Sequence, residues 1–182
     1  EADGVEDIAE EVARMHGYHL LPSLLHSGSL VSEAPSTQFV KEQNVKQVLC
    51  GAGYTELYTY SFLSKEEFLA GGYDPASAAL ELLNPLTSDL AYLRPWLGLT
   101  ILSAIGHNQT VKEQLNLFEL SHEYIPGSGA QLPQERQKLI VAVAGKEKEE
   151  GEHFFKVKGL AEHLGAVLNL PKLSFEEIAA PE

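Results

Sequence analysis

Arginine and cysteine are scarce in this chain, and both scarcities exclude functions. Only three of its 182 residues are arginines, Arg14, Arg94 and Arg136. Proteins that grip phosphate backbones do so with clustered Lys and Arg. Here the nearest thing to a cluster, Lys146, Lys148, Lys156 and Lys158, is diluted by Glu147, Glu149, Glu150 and Glu152, and the formal net charge is −13. Direct nucleic-acid binding is therefore not expected. The acidic surface suits solubility or a basic partner. A single cysteine, Cys50, excludes an internal disulfide and any cysteine-rich zinc site. Its apolar neighbours on a predicted helix make a small buried residue the expectation. No apolar run approaches the roughly 20 residues that span a bilayer, and nothing resembles a signal peptide, so a cytoplasmic setting is expected.

Catalytic motifs are also missing. There is no Gly-x-Ser-x-Gly elbow. Ala144-Gly145-Lys146 lacks the upstream glycine and the following Ser/Thr of a phosphate loop. Gly51-Ala52-Gly53 follows a predicted helix, where a dinucleotide fingerprint requires a strand. Gly17 is placed to end the first helix, so His16 and His19 do not share a face that would hold a metal. No catalytic or cofactor-binding residue is assigned.

What is present is an ordinary globular mixture, 44% apolar and 21% charged, long enough for one sizeable domain and an appendage. The chain opens on Glu1 and closes at Pro181-Glu182, just after a predicted strand. Both ends are expected to be cuts inside a longer polypeptide.

Ile8, Val12 and Met15 recur at helical spacing and predict a helix over 6–16. Residues 20–35, rich in Ser, Pro and Gly, read as a connector. A second helix is expected over 36–52, and a strand over 54–63, where aromatic and β-branched residues concentrate. Ser64 and Glu67 fit a capping box that opens a short helix through Ala70. A strand at 79–83 follows, then a helix over 96–108 with Pro95 in its first turn. Strands at 114–125 and 137–144 suggest an antiparallel hairpin with a long loop. A helix around Val157–Leu168 and a last strand at 172–178 complete the order. Such a mixture favours α+β over a doubly wound parallel sheet.

Two groups of side chains stand out. Asp7, Glu10 and Glu11 fall at i, i+3 and i+4, so their carboxylates can converge, and oxygen-only ligands suit Mg2+ or Ca2+. Spacing alone favours the simpler account, an acidic first turn that complements the helix dipole. Tyr58, Tyr60 and Phe62 alternate along the predicted strand and could line a pocket, although alternating aromatics are more often core. Leu115 and Leu117 on one face of the later strand, and Phe118, Leu120 and Tyr124 on the other, are read as core in the same way.

The order of the local motifs carries a resemblance. Asp7-Ile8-Ala9-Glu10-Glu11-Val12-Ala13-Arg14-Met15-His16-Gly17-Tyr18 with Leu21-Pro22 resembles a segment of the β subunit of bacterial phenylalanyl-tRNA synthetases. Gly53-Tyr54-Thr55-Glu56 through Tyr60-Ser61-Phe62 follows in the family's order, then Leu83-Asn84-Pro85-Leu86-Thr87-Ser88-Asp89 with Leu93-Arg94. Asn108 with Leu117-Phe118-Glu119-Leu120, and Phe154-Phe155-Lys156-Val157-Lys158-Gly159, complete the series. His16, Ser121 and Lys156 depart from the residues common in the family.

The resemblance implies the C-terminal end of a small helical module over 1–30. It also implies a C-terminally truncated, non-catalytic core over 36–182, shaped like a class II aminoacyl-tRNA synthetase with an antiparallel sheet flanked by helices. It implies a partner-binding role beside an α subunit and a second β subunit in an α2β2 assembly. That assembly, not this segment, would bind ATP and charge tRNA(Phe), with tRNA held through other regions. Mg2+ would bind at Asp7, Glu10 and Glu11, with a further ligand upstream, where Glu1–Glu6 departs from the family pattern. The strand carrying Glu119 lacks the arginine that class II adenylation uses on ATP phosphates, since none occurs between Arg94 and Arg136. The alternatives are an active class II synthetase core and an acidic Mg-binding interaction module.

Overall fold

The computed structural model describes residues 4–25, 27–28, 31–74, 80–127 and 132–176. The chain separates into two compact units, Glu1–Pro35 and Ser36–Glu182.

The first unit holds helix α1, Val5–His16, followed by a 3-10 turn at Tyr18–Leu20. Glu6 and Asp7 lie in the first turn of α1 and Arg14 and His16 in the last, matching the helix dipole at both ends. Gly17, at φ 102°, stops the helix and donates its N–H to Ala13 O.

In the second unit α2 spans Thr37–Gly51, and the Ser36 hydroxyl accepts the Phe39 N–H as its N-cap. The expected capping box opens α3, Lys65–Ala70: Glu67 N–H donates to Ser64 Oγ at 3.1 Å and Ser64 N–H donates to Glu67 Oε2 at 2.9 Å. Helix α4 runs Leu97–Asn108 and α5 Glu152–Val167. Trp96 is the N-cap of α4, so Pro95 lies just outside the helix rather than in its first turn.

The long strands are β5, Leu115–Ile125, and β6, Gln134–Ala144, paired antiparallel from Leu115↔Ala144 to Ile125↔Gln134. β6 starts three residues before its expected position, because pairing with β5 continues to the end of the hairpin. Short β1, Thr55–Glu56, joins β5 in parallel, giving the order β1-β5-β6. This sheet is therefore mixed, where a wholly antiparallel one was expected. A second sheet has the order β2-β4-β3, with β2 at Phe62–Leu63, β3 at Leu80–Glu81 and β4 at Tyr92–Leu93, all antiparallel.

The predicted strand over 54–63 is thus two dipeptide strands in different sheets. Between them the backbone leaves the ladder for other partners. Thr59 N–H turns to the Glu119 carboxylate, Tyr60 O to the Arg94 guanidinium and Ser61 O to the Arg94 N–H. Residues 172–176 form no strand, and the rest of that expected strand, like Ala79 of the earlier one, lies outside the described residues.

Strand alternation divides the core. Phe118 projects to one side of β5, where it packs with Leu49, Tyr54 and Leu160 beneath α2 and α5. Leu115 and Leu117 project to the other, against Ile101 of α4. A third cluster, Leu63, Phe68 and Leu99, joins α3 and α4 to the second sheet. Cys50 is exposed rather than buried, because α2 turns it away from this core.

Candidate functional site

The alternation that places Leu115 and Leu117 against α4 carries Glu119, Ser121 and Glu123 onto the same face of β5. This apolar strand face becomes polar halfway along. Arg94, immediately after β4, meets it there. Its side chain is 0% exposed and that of Glu119 2%, with Arg94 Nη1 3.0 Å from Glu119 Oε1.

The guanidinium is satisfied on all three nitrogens. Nε donates to His122 O at 3.0 Å, Nη1 to Thr59 Oγ1 at 2.7 Å as well as to Glu119, and Nη2 to Ser121 Oγ. Thr59 Oγ1 in turn donates to Glu119 Oε2 at 2.7 Å. Burying two charges is costly, and this arrangement offsets it with an ion pair and a nearly complete hydrogen-bond set. One strand-turn further, Glu123 Oε1 accepts the Leu97 N–H at 3.1 Å and so caps α4 from the sheet. The cluster welds segment 58–62, β4, β5 and α4 together. It is a structural lock, with the guanidinium and the carboxylate both committed inward.

Above the lock lies an open cleft of about 350 Å3 between segment 58–63 and α4. Tyr58 and Tyr60 line it and are 80% and 76% exposed, and Phe62 sits at its edge. Of the two readings of these aromatics, pocket lining and core, Tyr58 and Tyr60 follow the first, because the segment that carries them is not a two-sided strand. At one end Lys46 Nζ lies 2.6 Å from Glu56 Oε1 and 3.0 Å from Tyr58 Oη. The Glu56 carboxylate and the Tyr58 hydroxyl hold the Lys46 ammonium above its usual pKa. On the far side of the sheet, burial raises the Tyr54 phenol, whose hydroxyl has no hydrogen-bond partner among the described residues.

Asp7, Glu10 and Glu11 lie together on α1, all exposed. Glu11 is ion-paired with Arg14, whose Nε is 3.1 Å from Glu11 Oε2. Among the described residues no three His, Cys, Asp or Glu side chains come together to hold a metal ion. The donor chemistry suits Mg2+, but these three carboxylates as arranged here do not by themselves form a site. Sequence reasoning missed the Arg94–Glu119 lock. Its available signal was the run of alternate polar residues 119, 121 and 123 on a face that starts as Leu115 and Leu117.

The family model described as the phenylalanyl tRNA synthetase beta chain CLM domain matches residues 21–182. The chain belongs to this family. Among curated relatives, the phenylalanine–tRNA ligase β subunit of Symbiobacterium thermophilum is 33% identical over 186 aligned residues, 96% of this chain and 21% of the relative. That of Geobacter metallireducens is 30% identical over 169 residues, 87% of this chain and 21% of the relative. The chain thus spans about a fifth of the length of these β subunits. Among solved structures, a pyrrolysyl tRNA synthetase of Desulfitobacterium hafniense, PylSc, superposes with a TM-score of 0.58 at 19% identity, covering 74% of this chain and 46% of that one. At that identity the likeness bears on the fold, which is synthetase-like α+β.

Proposed function

We propose that this chain is a structural, partner-binding part of a phenylalanine–tRNA ligase β subunit and does no adenylation itself. The observation that carries the reading is the placement of the three arginines. Arg94 is sealed in the lock, Arg14 is paired with Glu11, and Arg136 is bonded to Gln134 on the hairpin. Arg94, the arginine that reaches the polar face of β5, is thus spent on Glu119 and not free to hold a triphosphate, the task arginine performs in class II adenylation. In this reading ATP-dependent charging of tRNA(Phe) belongs to an α subunit, in a cytoplasmic α2β2 assembly. Among the described residues no helix is long and apolar enough to cross a membrane.

Helix α2 is the element best suited to a subunit contact. Its only buried residue is Leu49, and Phe39 and Val40 are exposed. Helix α4 is less suited, since Leu97–Ile101 are committed to the core. Co-purification with an α subunit tests the reading: a stable complex is expected, weakened by Phe39→Glu, and failure of the intact chain to bind overturns it. The rival, an active class II core, predicts phenylalanine-dependent ATP–pyrophosphate exchange by the chain alone.

Mg2+ at Asp7, Glu10 and Glu11 belongs to the same proposal. It requires Glu11 to exchange Arg14 for the ion and further ligands to come from elsewhere.

A further inference from the structure

We propose that the cleft above the lock binds a primary ammonium group carried on a short apolar chain. The inference rests on which hydrogens the lining groups have left to offer. Thr59 Oγ1 spends its hydrogen on Glu119, and Thr100 Oγ1 spends its own on Leu97 O at 3.1 Å. Each also accepts from Arg94 Nη1, at 2.7 and 3.4 Å, so neither has a hydrogen to offer and each keeps one lone pair for a ligand. His107 Nδ1 lies 2.8 Å from Ser103 O, and a carbonyl only accepts, so Nδ1 carries the proton. In that tautomer Nε2 is an acceptor. Glu67 uses Oε2 for the α3 cap, leaving Oε1 available.

The charges point the same way. Arg94 is balanced by Glu119 and Lys46 by Glu56, whereas the Glu67 carboxylate has no cationic partner among the described residues. Lys46 already occupies one face of Tyr58, 5.1 Å from the ring centroid, so Tyr60 and Phe62 supply the remaining aromatic surface. One carboxylate without a cation, hydroxyls and a ring nitrogen that can accept, and exposed rings together recognise an organic cation. The Ser103 and Tyr60 hydroxyls in the same lining can accept as well as donate. A free small amine and a lysine side chain from another protein share this chemistry.

The test is titration of the chain with n-butylammonium and, separately, with the isosteric neutral n-butanol, followed by NMR shifts of Tyr60, Thr100 and Ser103. Butylammonium is expected to bind about tenfold more tightly than the alcohol, the scale of a charge-assisted contact with an aromatic contribution. Glu67→Gln keeps the α3 cap through its amide oxygen and is expected to abolish that preference. Tyr60→Leu, at an exposed position, is expected to weaken butylammonium without altering the fold. Equal binding of amine and alcohol, or no shifts at these residues, overturns the proposal, as does a preference that survives Glu67→Gln. Nα-acetyl-lysine amide separates the sources: shifts at the same residues assign the cleft to a lysine side chain, and their absence beside butylammonium binding assigns it to a free amine.

Discussion

Replacing Glu119 by Leu tests the energetics of the lock most directly. The substitution removes the carboxylate from a guanidinium that is 0% exposed and also strands the Thr59 hydroxyl and N–H. An uncompensated buried charge of this kind costs about 3–5 kcal/mol. For a domain of this size each kcal/mol lowers Tm by about 2–4 °C, so the melting temperature should fall by about 6–20 °C. Urea denaturation followed by circular dichroism would give the same loss at constant slope. A loss of this size is a large share of the stability of an ordinary domain, about 5–15 kcal/mol, so the double variant Arg94→Met/Glu119→Leu serves as the second measurement. Because it removes both charges, it should cost at least about 2 kcal/mol less than the sum of the single variants. A Glu119→Leu variant within about 1 kcal/mol of the parent, or strictly additive single variants, would refute the account of a charge held only by its partner.

Alkaline pH should weaken the fold. The Lys46 and Tyr54 pKa values are both raised in the folded chain, so their contributions are complete below the ordinary values of 10.5 and 10.0 and are lost as pH rises through the folded ones. Urea midpoints measured across pH 8–11 should fall only near the top of that range, starting at about pH 10. Tyr54→Phe deletes a buried hydroxyl that has no partner among the described residues, so it should leave stability unchanged or raise it by about 1 kcal/mol and flatten part of the alkaline slope. Ser64→Ala should cost about 1 kcal/mol by opening the α3 capping box, as read from a thermal melt. Gly145→Ala should cost at least about 2 kcal/mol, because φ is +137° and the new Cβ would lie 2.4 Å from Glu113 O. In a Mg2+ titration, Asp7→Asn and Glu11→Gln should each weaken binding about tenfold or more if those carboxylates are ligands, and unchanged affinity removes them from the site.

Local sequence was enough wherever a structure is decided by neighbours along the chain. The capping box at Ser64 and Glu67, the stop at Gly17 and the division of Leu117 and Phe118 between two faces of β5 depend only on spacing and backbone preference. The order of short motifs was likewise legible and led to the family. Tyr54–Leu63 shows where this reasoning stops. Its composition favours a strand, but whether Tyr60 and Ser61 join a ladder depends on which hydrogen-bond partners reach them, and the partner that does is Arg94. The lock itself joins residues 25 positions apart, and no periodicity announces such a pair. The same holds for Cys50, Tyr58 and Tyr60, whose exposure depends on how much sheet lies against them. The sequence by itself determined the helices, the long hairpin, the family and the scarcity of arginine. Only the tertiary structure decided that Arg94 is sealed away and that the tyrosines face an open cleft, because burial and charge pairing are set by contacts between distant segments.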